Sequence, residues 1–193
     1  MRRFLLVCMF SLAAMVPVIA GDEAAVPVEE PVQGEARLDQ LFGELKRARH
    51  EAAAERIASR IMREWSNSGS ATIDLMMAWA NAAADARKFD VALDFLDQVI
   101  ALEPDYAEGW NQRAAVHFAM DDHGKAMVDI RRTLSLEPRH FGALAGMARI
   151  LEQNGRNERA LRAYERILDV YPMLRSAQGK VGELADELAG RRI

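Results

Sequence analysis

Cysteine is all but missing. Cys8 is the only one in 193 residues, so the chain can build neither a disulfide framework nor a thiolate-held metal site. Basic charge is not in excess: 25 Lys and Arg stand against 29 Asp and Glu, for a formal net charge of −4 and a pI near 5.6. Phosphate backbones demand a cationic surface, and that balance excludes a nucleic-acid binder. Aromatic residues make up only 7%, with 12 Gly and 6 Pro, which argues against a β-sandwich. The abundant Ala, Leu, Arg and Glu argue for helix. Half of the residues are apolar, so the chain is not disordered and can bury a sizeable core.

Long hydrophobic runs are scarce as well, and the one at the start has its own explanation. Met1-Arg2-Arg3 is a basic opening followed by an apolar stretch from Phe4 to Ile19, the layout of a secretory signal. The stretch sits at the lower limit of a membrane span of about 20 residues, and Pro17 interrupts it near its end. A cleavable signal peptide over residues 1–20, cut after Ala20, is therefore expected, and a membrane attachment only if the segment stays uncleaved. Cleavage removes Cys8 and, with Arg2 and Arg3, takes the net charge from −4 to −6. Residues 21–34, GDEAAVPVEEPVQG, carry acids and prolines but no periodic apolar face, and read as an acidic linker.

The rest of the chain repeats. Pro104, Pro138 and Pro172 are 34 residues apart, each at the end of an apolar-acidic stretch and followed by a new helix start. A fixed period of this size marks a stacked array of supersecondary units. Within each period apolar residues recur at helical spacing in two stretches, so each unit is a helical hairpin. Ala80 and Ala92, Ala114 and Ala126, and Ala148 and Ala160 keep a constant separation of 12. Small residues at fixed offsets let two antiparallel helices approach closely.

These positions resemble the tetratricopeptide repeat. Trp110, Ala114, Ala126 and Pro138 fall on its pattern in residues 107–140; Ala80, Phe89, Ala92 and Pro104 in residues 73–106; and Leu144, Ala148, Gly155, Ala160, Tyr164 and Pro172 in residues 141–174. The unit 107–140 departs from the pattern at Arg113, where Leu is usual, and at Thr133, where Ala is; Met76 replaces the Trp of 73–106. The resemblance implies an all-α, right-handed solenoid of about four helix-turn-helix hairpins, with Trp110 filling a buried aromatic site. One period upstream lies a degenerate hairpin, 35–72, with Ser70 in place of the proline, expected to cap the first repeat. Residues 175–193 are expected to form a C-terminal capping helix through Ala177, Val181, Leu184 and Leu188.

No catalytic constellation accompanies the repeats. His50-Glu51 does not open an HExxH motif, and His117, His123 and His140 lack ligand partners at metal spacing. No enzyme, cofactor or metal is expected. The resemblance instead implies a concave groove lined by the first helices, with Asp74, Met77, Asn81 and Asp85 from one repeat, Glu108, Asn111, Gln112 and Phe118 from the next, and Arg149 and Gln153 from the last. The basic clamp by which some family members grip a terminal carboxylate is not matched, since Met77, Gln112, Gly142 and Gly146 stand at its positions and only Asn81 agrees. With Asp74, Asp85 and Glu108 at one end, a protein or peptide partner of basic or mixed charge is expected. The signal and size resemble periplasmic repeat proteins that support envelope integrity or complex assembly, and the alternative is a chaperone-like holder of unfolded exported clients.

Overall fold

The computed structural model describes residues 31–190, so the signal segment and most of the linker lie outside the described residues. Those described form nine helices: α1 (Pro31–Arg47), α2 (Glu51–Ser66), α3 (Ala71–Asp85), α4 (Phe89–Leu102), α5 (Ala107–Ala119), α6 (His123–Leu136), α7 (Phe141–Gln153), α8 (Asn157–Val170) and α9 (Arg175–Gly190). The all-α solenoid read from the sequence is what the chain adopts. Residues 31–34 are helical and not linker, since a proline is tolerated in a helix's first turn.

The 34-residue period is a property of the backbone as much as of the sequence. Inside each of the three regular hairpins, α3–α4, α5–α6 and α7–α8, the first helix ends on a left-handed residue at the same phase: Arg87 (φ 55°), Asp121 (φ 59°) and Gly155 (φ 66°). Each is closed by the paired hydrogen bonds of a Schellman motif. Lys88 N donates to Ala83 O and Arg87 N to Ala84 O, both at 2.9 Å, and the same pattern recurs at Asp122 and Asp121 and at Arg156 and Gly155. Between hairpins, the residue before each proline leaves the helical region, with φ of −131°, −131° and −132° and ψ of 74°, 95° and 73° at Glu103, Glu137 and Tyr171. Helices α3 and α4, α5 and α6, and α7 and α8 therefore pair, with Ala80, Ala92, Ala114, Ala126, Ala148 and Ala160 all buried.

The departures within 107–140 compensate one another. Arg113 donates from Nε and Nη2 to the buried Asp129 carboxylate, both at 2.8 Å, and from Nη1 to Asp97 at 2.7 Å. Thr133 Oγ1 returns its hydrogen bond to Asp129 O at 3.1 Å. Trp110 is only half-buried, which corrects the expectation of a filled aromatic core site. Its indole donates to Pro104 O at 2.9 Å and its ring lies beneath the Arg113 and Arg132 guanidinium groups, at 4.9 and 5.9 Å. With Arg113 standing where Leu is usual, the ring lies against two cations.

The N-terminal hairpin is the larger surprise. Stepping one period back from residue 73 leads to the expectation that it stacks on α3 and α4. Its apolar face, with Leu41, Phe42, Leu45, Ala54, Ala58, Ile61 and Trp65, instead shares one core with Phe141, Leu144, Tyr164, Ile167, Tyr171 and Leu184 of α7, α8 and α9. Trp65 stacks on His140 at 4.1 Å and 12°, and meets Phe141 at 5.0 Å. Asp39 pairs with Arg139, and Glu51 with Arg175 at 3.3 Å. The cause is local: in place of the pre-proline turn, residues 67–70 make a loop with Gly69 at φ +80° and Ser68 hydrogen-bonded to Asp74, which redirects the chain. As a result Leu75 and Trp79 of α3 stay about half exposed, at 49% and 48%.

Two outcomes follow from these observations. Left-handed backbone costs a residue with a Cβ roughly 1 kcal/mol or more, so Arg87→Gly and Asp121→Gly should each stabilise by about 0.5–1 kcal/mol after the entropy of the added glycine is counted. Urea unfolding measures this, and destabilisation would contradict it. Burial pushes the His117 imidazole below its ordinary value, with the Asp129 carboxylate only partly opposing. The unfolded state then binds the proton more readily, and stability falls as pH drops through the ordinary histidine range near 6.5. Thermal melts of His117→Phe between pH 7.5 and 5.5 should show a shallower acid loss than the parent chain.

Candidate binding groove

The first helices of successive hairpins lie side by side, and α5 and α7, with Ile130 of α6, line an open cavity of about 290 Å³. Its walls carry Asn111, Gln112 and Phe118 from α5 and Arg149 from α7, and Gly142, Ala145 and Gly146 contribute to its lining. The two glycines keep it open. A Cβ at Gly146 would come within 3.3 Å of the Ile130 Cδ1, and one at Gly142 within 3.3 Å of the His140 ring. The Arg149 guanidinium lies over the Phe118 ring at 4.7 Å, and that ring stacks in turn on His123 at 5.3 Å.

A second cleft, of about 610 Å³, continues the groove between α7 and α9. Arg149, Glu152 and Gln153 of α7 face Tyr164, Arg175 and Lys180 across it. Lys180 Nζ is held by Glu152 at 2.8 Å and Glu183 at 3.0 Å, and Tyr164 donates its hydroxyl to Glu152 at 3.1 Å. Hydrogen bonding from Lys180, with help from Tyr164, holds the Glu152 carboxyl below its usual range. Burial, reinforced by Glu152, pushes the Tyr164 phenol up to about 12. Lys180 and Arg175, which pairs with Glu51, have acidic partners within 4 Å, whereas among the described residues Arg149 makes no such pair, although its charge acts on Glu152.

The α9 wall was missed in the sequence, although the signal was there. Arg175 begins a helix one 34-residue step after Phe141, so the groove positions of α7 carry over to α9: Gly142 to Ser176, Ala145 to Gly179 and Gly146 to Lys180. All three line the cleft.

Of the ten residues assigned to the groove, Asn111, Gln112, Phe118, Arg149 and Gln153 line these two clefts. The four α3 residues assigned to it line neither cleft. Met77 is 6% exposed and packs in the core with Ile73, Ala80 and Leu96. Asp74 accepts from the Ser68 hydroxyl at 2.7 Å and its amide at 3.0 Å, closing the loop before α3. Asn81 and Asp85 are exposed but lie outside both clefts. Glu108 is turned inward at 9% exposed, with His140 Nε2 at 3.0 Å and Gln112 Nε2 at 2.6 Å from its oxygens. Of the three carboxylates expected at the acidic end, Asp74 and Glu108 are thus hydrogen-bonded to neighbours, and none of the three lines either cleft.

Stacked helical hairpins with a groove across their first helices define a helical-repeat scaffold. The chain is 54% identical over 156 residues to a TPR repeat-containing protein of Rhizobium etli, a match that covers 81% of this chain and 76% of that protein. It belongs to the tetratricopeptide-repeat family, whose members are generally non-catalytic protein–protein interaction modules. No family model matches the sequence. A more distant relative, small glutamine-rich tetratricopeptide repeat-containing protein 2 of Saccharomyces cerevisiae, is 25% identical over 61% of this chain and 34% of its own length. Among solved structures, the first TPR of Spaghetti (RPAP3) bound to an HSP90 peptide shares the fold with a TM-score of 0.57 at 20% identity, covering 61% of this chain and 93% of that one. MamA does so with a TM-score of 0.56 at 16% identity, over 81% and 84% of the two chains.

The two glycines of the cavity should respond oppositely to a methyl group. The end of the Ile130 side chain can rotate away, so Gly146→Ala should gain most of the helix-propensity difference, about 0.5–1 kcal/mol. The His140 ring is pinned on several sides, so Gly142→Ala should lose about 1 kcal/mol to overpacking. Denaturant titration of both variants checks the pair.

Proposed function

We propose that the protein is an exported interaction module that holds one extended or helical segment of a partner protein in the groove formed by α5, α7 and α9. The observation that carries the reading is the convergence of Asn111, Gln112, Phe118 and Arg149 on one cavity kept open by Gly142 and Gly146. Amides can serve a partner's main chain, the Phe118 ring an apolar side chain, and the Arg149 guanidinium over that ring a carboxylate. A segment of mixed charge suits that set. The basic opening and apolar stretch at residues 1–20 support export, and a periplasmic role in envelope integrity or complex assembly is the corresponding proposal.

In-cell photo-crosslinking tests the groove, with the probe placed at Asn111 and, for comparison, at Arg162, exposed on α8. A discrete product from Asn111, absent from Arg162, is expected. Arg149→Ala should weaken that product about tenfold, the effect of losing one charge-assisted hydrogen bond, while leaving thermal stability within about 0.5 kcal/mol. A smear of many products from Asn111 would favour the holder of unfolded clients, and no product from either position would overturn the groove. Intact mass of the protein recovered from cells tests cleavage after Ala20.

A further inference from the structure

The groove's two amides are oriented from below. Gln112 Nε2 donates to Glu108 Oε1 at 2.6 Å, and Asn111 Nδ2 lies 3.3 Å from both Glu108 oxygens. An ionised carboxylate can only accept. It therefore compels both side chains to turn their NH₂ groups towards it and leaves their carbonyl oxygens for whatever enters the cavity. Asn111 Oδ1 accordingly faces the floor, 4.0 Å from where a Cβ on Gly142 would stand.

Glu108 is itself held in place by a residue 32 positions away. His140 is 2% exposed, and its Nδ1 accepts the Ala143 N–H at 3.1 Å, capping α7. The other nitrogen, Nε2, must then carry the proton of the neutral ring, and it donates to Glu108 Oε2 at 3.0 Å. Trp65 of α2 stacks over the opposite side of this arrangement, its ring 4.1 Å from the imidazole and 12° from parallel. A continuous set of contacts thus runs from the N-terminal hairpin through His140 and Glu108 to Asn111 and Gln112.

We infer that Glu108 and His140 are positioning residues that set the hydrogen-bonding polarity of the groove, and that docking of the N-terminal hairpin through Trp65 holds them in that setting. The inference rests on the groove being the binding site and adds what it selects. The α5 wall presents acceptors to a partner's N–H donors, main-chain or basic, while Arg149 on α7 presents donors to an acceptor. Because binding linkage is reciprocal, a partner that engages the two amides also tightens the hairpin on its seat.

Nuclear magnetic resonance on the full chain reads this without any partner, through hydrogen exchange of the Asn111 and Gln112 side-chain amides. In the parent protein these NH₂ groups should exchange at least tenfold more slowly than that of the exposed Asn81. Glu108→Gln should remove the protection. His140→Asn keeps an acceptor to cap α7 but has no donor reaching Glu108, and should also remove most of it. Trp65→Leu should reduce it several-fold, whereas Ile167→Val, a loss in the same core away from His140, should leave it unchanged. Protection that persists in His140→Asn overturns the positioning role. An equal loss in Ile167→Val and Trp65→Leu overturns the hairpin's part, since it would report general loosening. Either result leaves the crosslinking test of the groove standing, and failure of crosslinking with these protections intact would strike the groove alone.

Discussion

Everything in this molecule depends on how closely two antiparallel helices can approach at an alanine. Ala80 and Ala92 and their two successor pairs, 34 and 68 residues on, are buried in the helical turns nearest the connecting loop of each repeat, and the close approach that small side chains permit there sets the distance at which the next hairpin can nest. The left-handed residue at one end and the pre-proline residue at the other convert that crossing into a constant step from repeat to repeat. A groove across the first helices is a by-product of that step. Its width between α5 and α7 is then set by what stands on the facing surfaces, and glycine at 142 and 146 leaves it open.

The hairpins, their turns and their buried alanines were legible because each is written locally, within a dozen residues, and written three times. The N-terminal hairpin was legible as helices but not as a location. A helical stripe such as Ala54, Ala58, Ile61 and Trp65 shows which face is buried without naming what buries it. Only the missing proline at Ser70 hinted that the regular step was broken. The groove divides along the same line. Asn111, Gln112, Phe118 and Arg149 were found because the resemblance to the tetratricopeptide repeat puts their positions on the inner face. Met77 and Glu108 share that phase and were misjudged, since their fate is decided by Leu96 and by His140, residues that helical periodicity does not connect to them.

Charge shows the point most sharply. Counted along the sequence, Asp74, Asp85 and Glu108 make one end of the groove acidic. In space, a serine loop takes the first, the second is exposed and lines neither cleft, and the third holds the two amides from below. A buried carboxylate that is surrounded by donors shapes what its neighbours display.

The contact between Trp65 and the turn at His140 also bears on how the chain is made. Repeat arrays ordinarily fold by nearest-neighbour steps, each hairpin finding its support as soon as the next is complete. Here Asp39 meets Arg139 and Glu51 meets Arg175, across 100 and 124 positions. A chain synthesised from its N-terminus displays Leu41, Phe42, Ile61 and Trp65 long before Tyr164, Ile167 and Tyr171 exist to cover them. The hairpin that emerges first is thus the last to be seated, and through that interval its greasy face is open to whatever accompanies a nascent polypeptide.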